Sequence, residues 1–210
     1  MKLSQIEHDL KLIRQMMESS SRYTNIPASG YAVAGMFGLF GAWRTALFLQ
    51  SRNLTDRAAL EGANMLQIAA TWLAIFVTTI VVVGLLSWLK ARTHGVSAWN
   101  SLAARMFLSQ IPAVVVAGIL TVALGAHGDA DMVPAVWLGV YGVILYSFSY
   151  FTGVEHKIES LMFITLGAIA AFTPLDWQPA LLGLGFGGVH LLSGIVRQMR
   201  KQKERRHESD

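Results

Sequence analysis

Six long apolar stretches alternate with short polar segments along the chain. They cover residues 28–50, 65–89, 104–126, 133–152, 159–175 and 179–197. A helix rising 1.5 Å per residue needs about 20 residues to cross about 30 Å of hydrocarbon. Each stretch therefore predicts a membrane-spanning helix, the fifth being the shortest. The expected fold is all-α: a polytopic membrane protein built as a six-helix transmembrane bundle.

The pattern before the first span is different. Leu3, Ile6, Leu10, Ile13 and Met17 recur at steps of three and four. They form one seam of an amphipathic helix, with Lys2, Glu7, Lys11 and Arg14 on its other faces. This cytosolic helix is too short and too charged to span. It would lie on the membrane surface, pair with its own copy, dock on another protein or rest against its own membrane domain. The stretch SSSRYTN breaks it, and Pro27 suits the first turn of the next helix. Three regions result: residues 1–24 as amphipathic helix and linker, 25–197 as the six-span domain, and 198–210 as a basic cytosolic tail.

Composition agrees. Of 210 residues 53% are hydrophobic and 14% charged, with mean hydropathy +0.46, whereas a soluble domain carries about 25% charged residues. With no cysteine, disulfides, thiolate metal sites and cysteine nucleophiles are excluded. Glu7 and Asp9 interrupt the region where a signal peptide needs an apolar core, so no cleaved leader is expected.

Charge sets orientation. Basic residues in short loops gather on the cytoplasmic side of a membrane. Six spans that start and finish inside place fourteen Lys and Arg residues on the inner side and only Arg52 and Arg57 on the outer side, with Arg44 inside a span. Asp129, Asp131 and Asp176 fall in outer loops. An odd number of spans would destroy that asymmetry, so both termini are expected in the cytosol. The basic tail would face anionic headgroups; nothing further points to nucleic acid. An NLT tripeptide at 53–55 matches a glycosylation acceptor in an outer loop, with no other sign of a secretory route.

Glycine marks the closest helix contacts. In lipid, small residues let backbones approach. At 100° per residue, Gly183, Gly187, His190 and Gly194 of the sixth span fall within roughly 60° of one another. Gly30, Ala34, Gly38, Gly41 and Thr45 of the first span fall within roughly 80°, bordered by Arg44. Both faces predict close packing inside the bundle, with His190 turned inward.

Ionisable residues at membrane depth point to function by default. Arg44 belongs to the outer half of its span and His190 to the inner half, so the two are not expected to pair directly. Gln110, Tyr146, Ser147, Ser149 and Tyr150 share the level of His190, with Arg105 and Glu159 near the inner interface. Ligand binding would use His190, Gln110, Tyr146, Tyr150 and Arg105 around an inner-leaflet cavity. The tyrosines also fit an interfacial aromatic belt, and Pro112 predicts a kink in the third span. The chain holds no HExxH, GxSxG or P-loop motif and no pair of acids within a span. Haem held by two histidines would need a partner for His190, and His94, His156 and His127 are placed at or beyond the interfaces. No cofactor, metal or catalytic residue is expected.

RQMMESSSRYTN before a glycine-rich first span, WNSLAARMFLSQIPAVVVAG opening the third and LGFGGVHLLSG in the sixth resemble a family of uncharacterised bacterial six-span inner-membrane proteins. The resemblance implies a bacterial inner-membrane location and draws attention to Arg22, Asn100, Arg105, Gly187 and His190, and it carries no activity over. YFTGVEHKIE departs from the pattern, with Phe151 where a lysine would be expected. The sequence therefore predicts a non-catalytic regulatory or accessory subunit that works through helix association, as a homo-oligomer or with a protein partner. The alternative is a binder or transporter of a small or lipid-like molecule around His190.

Overall fold

A computed structural model of the chain describes residues 26–54, 60, 62–93, 95 and 101–207. The expected N-terminal helix, with its seam at Leu3, Ile6, Leu10, Ile13 and Met17, lies outside the described residues, as do Arg22 and Asn100. The described elements are all helical.

Helix α1 covers Ala28–Ser51 and α2 covers Ala63–Thr93. The third span is split into α3, Ser101–Leu108, and α4, Ile111–Ala126. The break at Ser109 and Gln110 precedes Pro112, whose missing N–H cannot continue the α3 ladder. Helix α5 covers Val133–Thr152 and α6 covers Val154–Ala171. The last span begins with a 3₁₀ turn at Leu175–Trp177 and α7, Gln178–Leu182. It widens to a π-helical segment at Gly183–Val189 and continues as α8, His190–His207.

Five of these rods are long and apolar enough to cross a membrane: Ala28–Ser51, Ala63–Thr93, Ala103–Ala126, Ala130–Thr152 and Leu175–Lys203. Helix α6 has 18 residues, about 27 Å at 1.5 Å per residue, and carries Glu155, Lys157 and Glu159 in its first turns. Hydropathy reads that charged start as loop, which is why the sequence placed this span at 159–175.

The rods alternate between two ends. At one end Ile26, Phe148 and Phe151 meet Ala103 and Met106. Phe151, where a lysine was expected, is thus part of an apolar cluster. At the other end Leu49, Leu60, Ala130 and Leu175 form a second cluster. Between them lies the core, with Leu138 and Leu145 from α5, Phe163 and Ala170 from α6, and Leu181, Leu182 and Val189 from the last span. Burial is uneven. Half of the most apolar stretch of the last span is buried inside the bundle, and none of that of α2. The last span is the hub, and α2 packs chiefly on α1.

The α5–α6 hairpin turns at a single residue, Gly153, whose φ of 118° suits glycine. Below it the two helices approach closely. A Cβ on Gly167 would lie 2.7 Å from the Gly139 nitrogen, and one on Gly142 would lie 2.9 Å from the Ser160 carbonyl oxygen. The joint and the small residues together let two successive spans run against each other.

Candidate functional site

The two predicted glycine faces meet. A Cβ on Gly35 would lie 2.6 Å from Leu191 Cγ and 2.9 Å from the Gly187 carbonyl oxygen. One on Gly38 would collide with the main chain of Phe186, and one on Gly187 would lie 2.5 Å from Leu39 Cδ2. Further along, a Cβ on Gly194 would lie 3.0 Å from the Ala28 carbonyl oxygen. The first and last spans therefore touch backbone to backbone over much of their length, as small residues allow in lipid. Gly183 faces Ala42 on the same seam. Gly30 and Gly41 turn instead toward α2, where they meet Val83 and the Trp72 ring. The predicted stripe thus sits on the crest of α1 between two neighbours, and Gly35, which it omitted, belongs to the contact.

His190 does not share the glycines' neighbour. Its Nε2 lies 2.8 Å from Tyr141 Oη on α5. Its ring centroid is 5.5 Å from those of Tyr141 and of Phe163 on α6. Phe186 completes the cluster, 5.2 Å from Tyr141 and 5.3 Å from Phe163. Three elements thus surround the imidazole with aromatic rings. The ring follows directly on the π segment Gly183–Val189. Each i→i+5 turn holds more residues than an α turn, so successive side chains there step round the axis by less than about 100°. A hydroxyl donating to Nε2 leaves the ring proton on Nδ1. Nδ1 is buried and makes no hydrogen bond of normal geometry, although the ring lies in the field of the Gly185 and Phe186 carbonyls.

About two helical turns toward the α8 C-terminus, a charged cluster joins three helices. Arg197 Nη1 donates to Glu159 Oε1 at 2.6 Å, and its Nε lies 3.3 Å from Glu155 Oε2. Its guanidinium lies over the Tyr31 ring, 4.0 Å from the centroid. Arg197 Nη2 is 3.4 Å from His156 Nδ1, and His156 Nε2 is 2.7 Å from Tyr31 Oη. Arginine has no acceptor, so Nδ1 accepts and the Nε2–H donates to the Tyr31 oxygen. Arg200 also pairs with Glu155. Tyr31, His156 and Glu159 are buried. The sequence places His156 at or beyond an interface and gives Arg197, the last residue of the sixth apolar stretch, no partner. The signal for the pairing is the spacing of Glu159 from Glu155 and His156, four and three residues, which makes it a helix neighbour of each.

The other predicted ligand residues divide into separate groups. Gln110 Nε2 donates to Ser109 Oγ at 2.8 Å and Ser147 Oγ at 3.1 Å, bridging the break in the third span to α5. The Tyr146 and Tyr150 rings meet edge-on at 5.8 Å, with Lys157 Nζ 5.6 Å from the Tyr146 centroid. Tyr150 and Arg105 are exposed. Arg44 lies toward the opposite end of the bundle, in a cleft between α1 and α2. Among the described residues no group of three His, Asp or Glu side chains could hold a metal ion.

No protein-family model, curated protein or solved structure matches the chain. What the arrangement can do therefore follows from its own residues. The backbone contact of the first and last spans and the Arg197 cluster fix the base of α1 to α8. The imidazole of His190 sits among rings between them and the α5–α6 hairpin.

Proposed function

We propose that the protein is a bacterial inner-membrane subunit that acts by association and without catalysis, crossing the membrane six times with both termini in the cytosol. The observation that carries this reading is the Gly194–Ala28 contact. It makes the segment before Ala28 and the basic helix after Gly194 leave the bundle from one place. The first of these bears the apolar seam of Leu3, Ile6, Leu10, Ile13 and Met17. The second bears Arg200, Lys201, Lys203 and Arg206. An apolar seam and a basic helix offer contacts to a second copy or a partner helix, with anionic headgroups around them. The preponderance of Lys and Arg at this end supports the cytosolic orientation, and the sequence resemblance supports the bacterial setting.

The test replaces Leu10 and Ile13 by Asp in the full chain and measures mass and co-purified proteins in mild detergent. Loss of the self-associated species, or of a defined stoichiometric partner, is the expected result. Unchanged association removes the reading.

The buried, unsatisfied Nδ1 of His190 favours a second reading, in which a small or lipid-like molecule binds at the inner half of the bundle. Mass spectrometry of the purified protein should then show a ligand retained by the native chain and lost from His190→Ala. No difference between the two discards it.

A further inference from the structure

A polar cleft occupies the end of the bundle opposite the basic helix. Arg44 stands in α1 seven residues before Ser51, about 10 Å short of the helix end at 1.5 Å per residue. Its side chain is exposed and lines a cleft with Thr45, Phe48, Gln67 and Thr71. Among the described residues it has neither a hydrogen-bond nor an ion-pair partner. The cleft opens past Gln50 and Ser51 to Arg52, whose guanidinium lies over the Phe48 ring. Among the described residues no carboxylate lines it.

The walls are fixed. Trp72 Nε1 donates to Thr45 Oγ1 at 3.0 Å, and Thr45 Oγ1 donates to the Gly41 carbonyl at 2.9 Å. On α2, Thr71 Oγ1 donates to the Gln67 carbonyl at 2.8 Å. Gly41 makes this possible, since a Cβ there would lie 2.9 Å from Ile75 and 3.0 Å from the Trp72 ring. The spacing between α1 and α2 at Arg44 is thus set by contacts that do not involve Arg44.

A guanidinium at this depth needs an anion or water. Arg52 follows eight residues later, about 12 Å along the axis, and lines the same cleft. That distance carries the cleft from the hydrocarbon to the headgroup level. Arginine presents a planar fork of donors that matches phosphate oxygens, and the Gln67 side chain adds amide donors on the opposite wall. Beside the cleft, Leu47 is exposed and lines its open part, offering an apolar surface to acyl chains. A free phosphate would use only the upper half of this arrangement. A phospholipid uses all of it.

We propose that the cleft between α1 and α2 binds the phosphate of an anionic phospholipid from the leaflet opposite the basic helix, with Arg44 and Arg52 as the cationic contacts and Gln67 as a hydrogen-bond donor. This site is independent of the association reading.

The test is native mass spectrometry of the full chain in mild detergent with added phosphatidylglycerol, phosphatidylcholine or inorganic phosphate. The native protein should retain phosphatidylglycerol at least fivefold more than phosphatidylcholine. Arg44→Gln should lower that retention at least fivefold, and Gln67→Leu, which leaves both arginines and removes the amide from the other wall, should lower it about twofold or more. Thermal unfolding of each variant shows whether it folds, and Gln67→Leu alone decides the matter if Arg44→Gln does not. Equal retention of the two lipids, unchanged retention in the folded variants, or inorganic phosphate displacing the lipid at equal concentration would each overturn the proposal.

Discussion

Gly38 lies against the main chain of Phe186 so closely that no side chain fits between them. The contact joins the first span to the π-helical segment of the last. It also explains a choice that would be poor in water, where glycine weakens a helix. In lipid the backbone has no competing solvent to bond, so the cost of glycine falls and the gain from close approach remains.

Gly38→Ala should therefore destabilise the bundle by about 2 kcal/mol or more, because the obstruction is backbone and cannot rotate away. Gly84→Ala and Gly118→Ala are the controls, since a Cβ at either meets nothing within 4 Å. Thermal unfolding in detergent should show a lower midpoint for Gly38→Ala and none of that loss for the controls. Equal behaviour of all three would contradict the close contact.

The Arg197 cluster gives a graded prediction. Glu159 and Arg197 are both largely buried, with side-chain exposures of 10% and 15%. Glu159→Ala leaves a buried guanidinium short of its nearest carboxylate and should cost about 3 kcal/mol. Glu155 is 37% exposed, and its replacement by Ala should cost under about 1 kcal/mol. Replacing Glu159 and Arg197 together by Met should recover much of the loss, as apolar isosteres of buried pairs do. Stability of the three variants checks the order.

Tyr141→Phe keeps the ring among Phe163, Phe186 and His190 but removes the hydroxyl from His190 Nε2. The expected cost is about 1–2 kcal/mol for a buried nitrogen left without its partner. Nitrogen NMR of the labelled imidazole should show the Nε2 signal move in Tyr141→Phe. An unmoved signal would place the hydroxyl elsewhere.

Much of this was legible in the apolar pattern, and the exceptions have physical causes. The fourth span was expected at 133–152 and α5 is Val133–Thr152, because Gly153 and Pro134 punctuate it on both sides. Pro112 marked the break in the third span. Gly187 and Gly194 were placed on a packing face by simple helical phase, and they do meet α1. The partner of that face was not legible, since a wheel gives direction but no neighbour. His190 was read as turned inward, and it does face Tyr141 and Phe163; that its neighbours belong to α5 and α6 was not legible for the same reason. Arg197 escaped because hydropathy ended the span there, whereas the helix runs on to His207. Arg44 and Gln67 lie on different spans, and only their packing makes one cleft of them.

The central claim is that six lipid-embedded rods, locked by the first and last, bring both flanking segments out on one side. The chain has no cysteine, so single cysteines at Ser4, Ala63 and Lys203 can each be tested with a membrane-impermeant thiol reagent in intact cells. The account predicts that Ala63→Cys is labelled from outside, whereas Ser4→Cys and Lys203→Cys react only after permeabilisation. Labelling of Ser4→Cys and Lys203→Cys from opposite sides, or of Ala63→Cys from the same side as both, would contradict it.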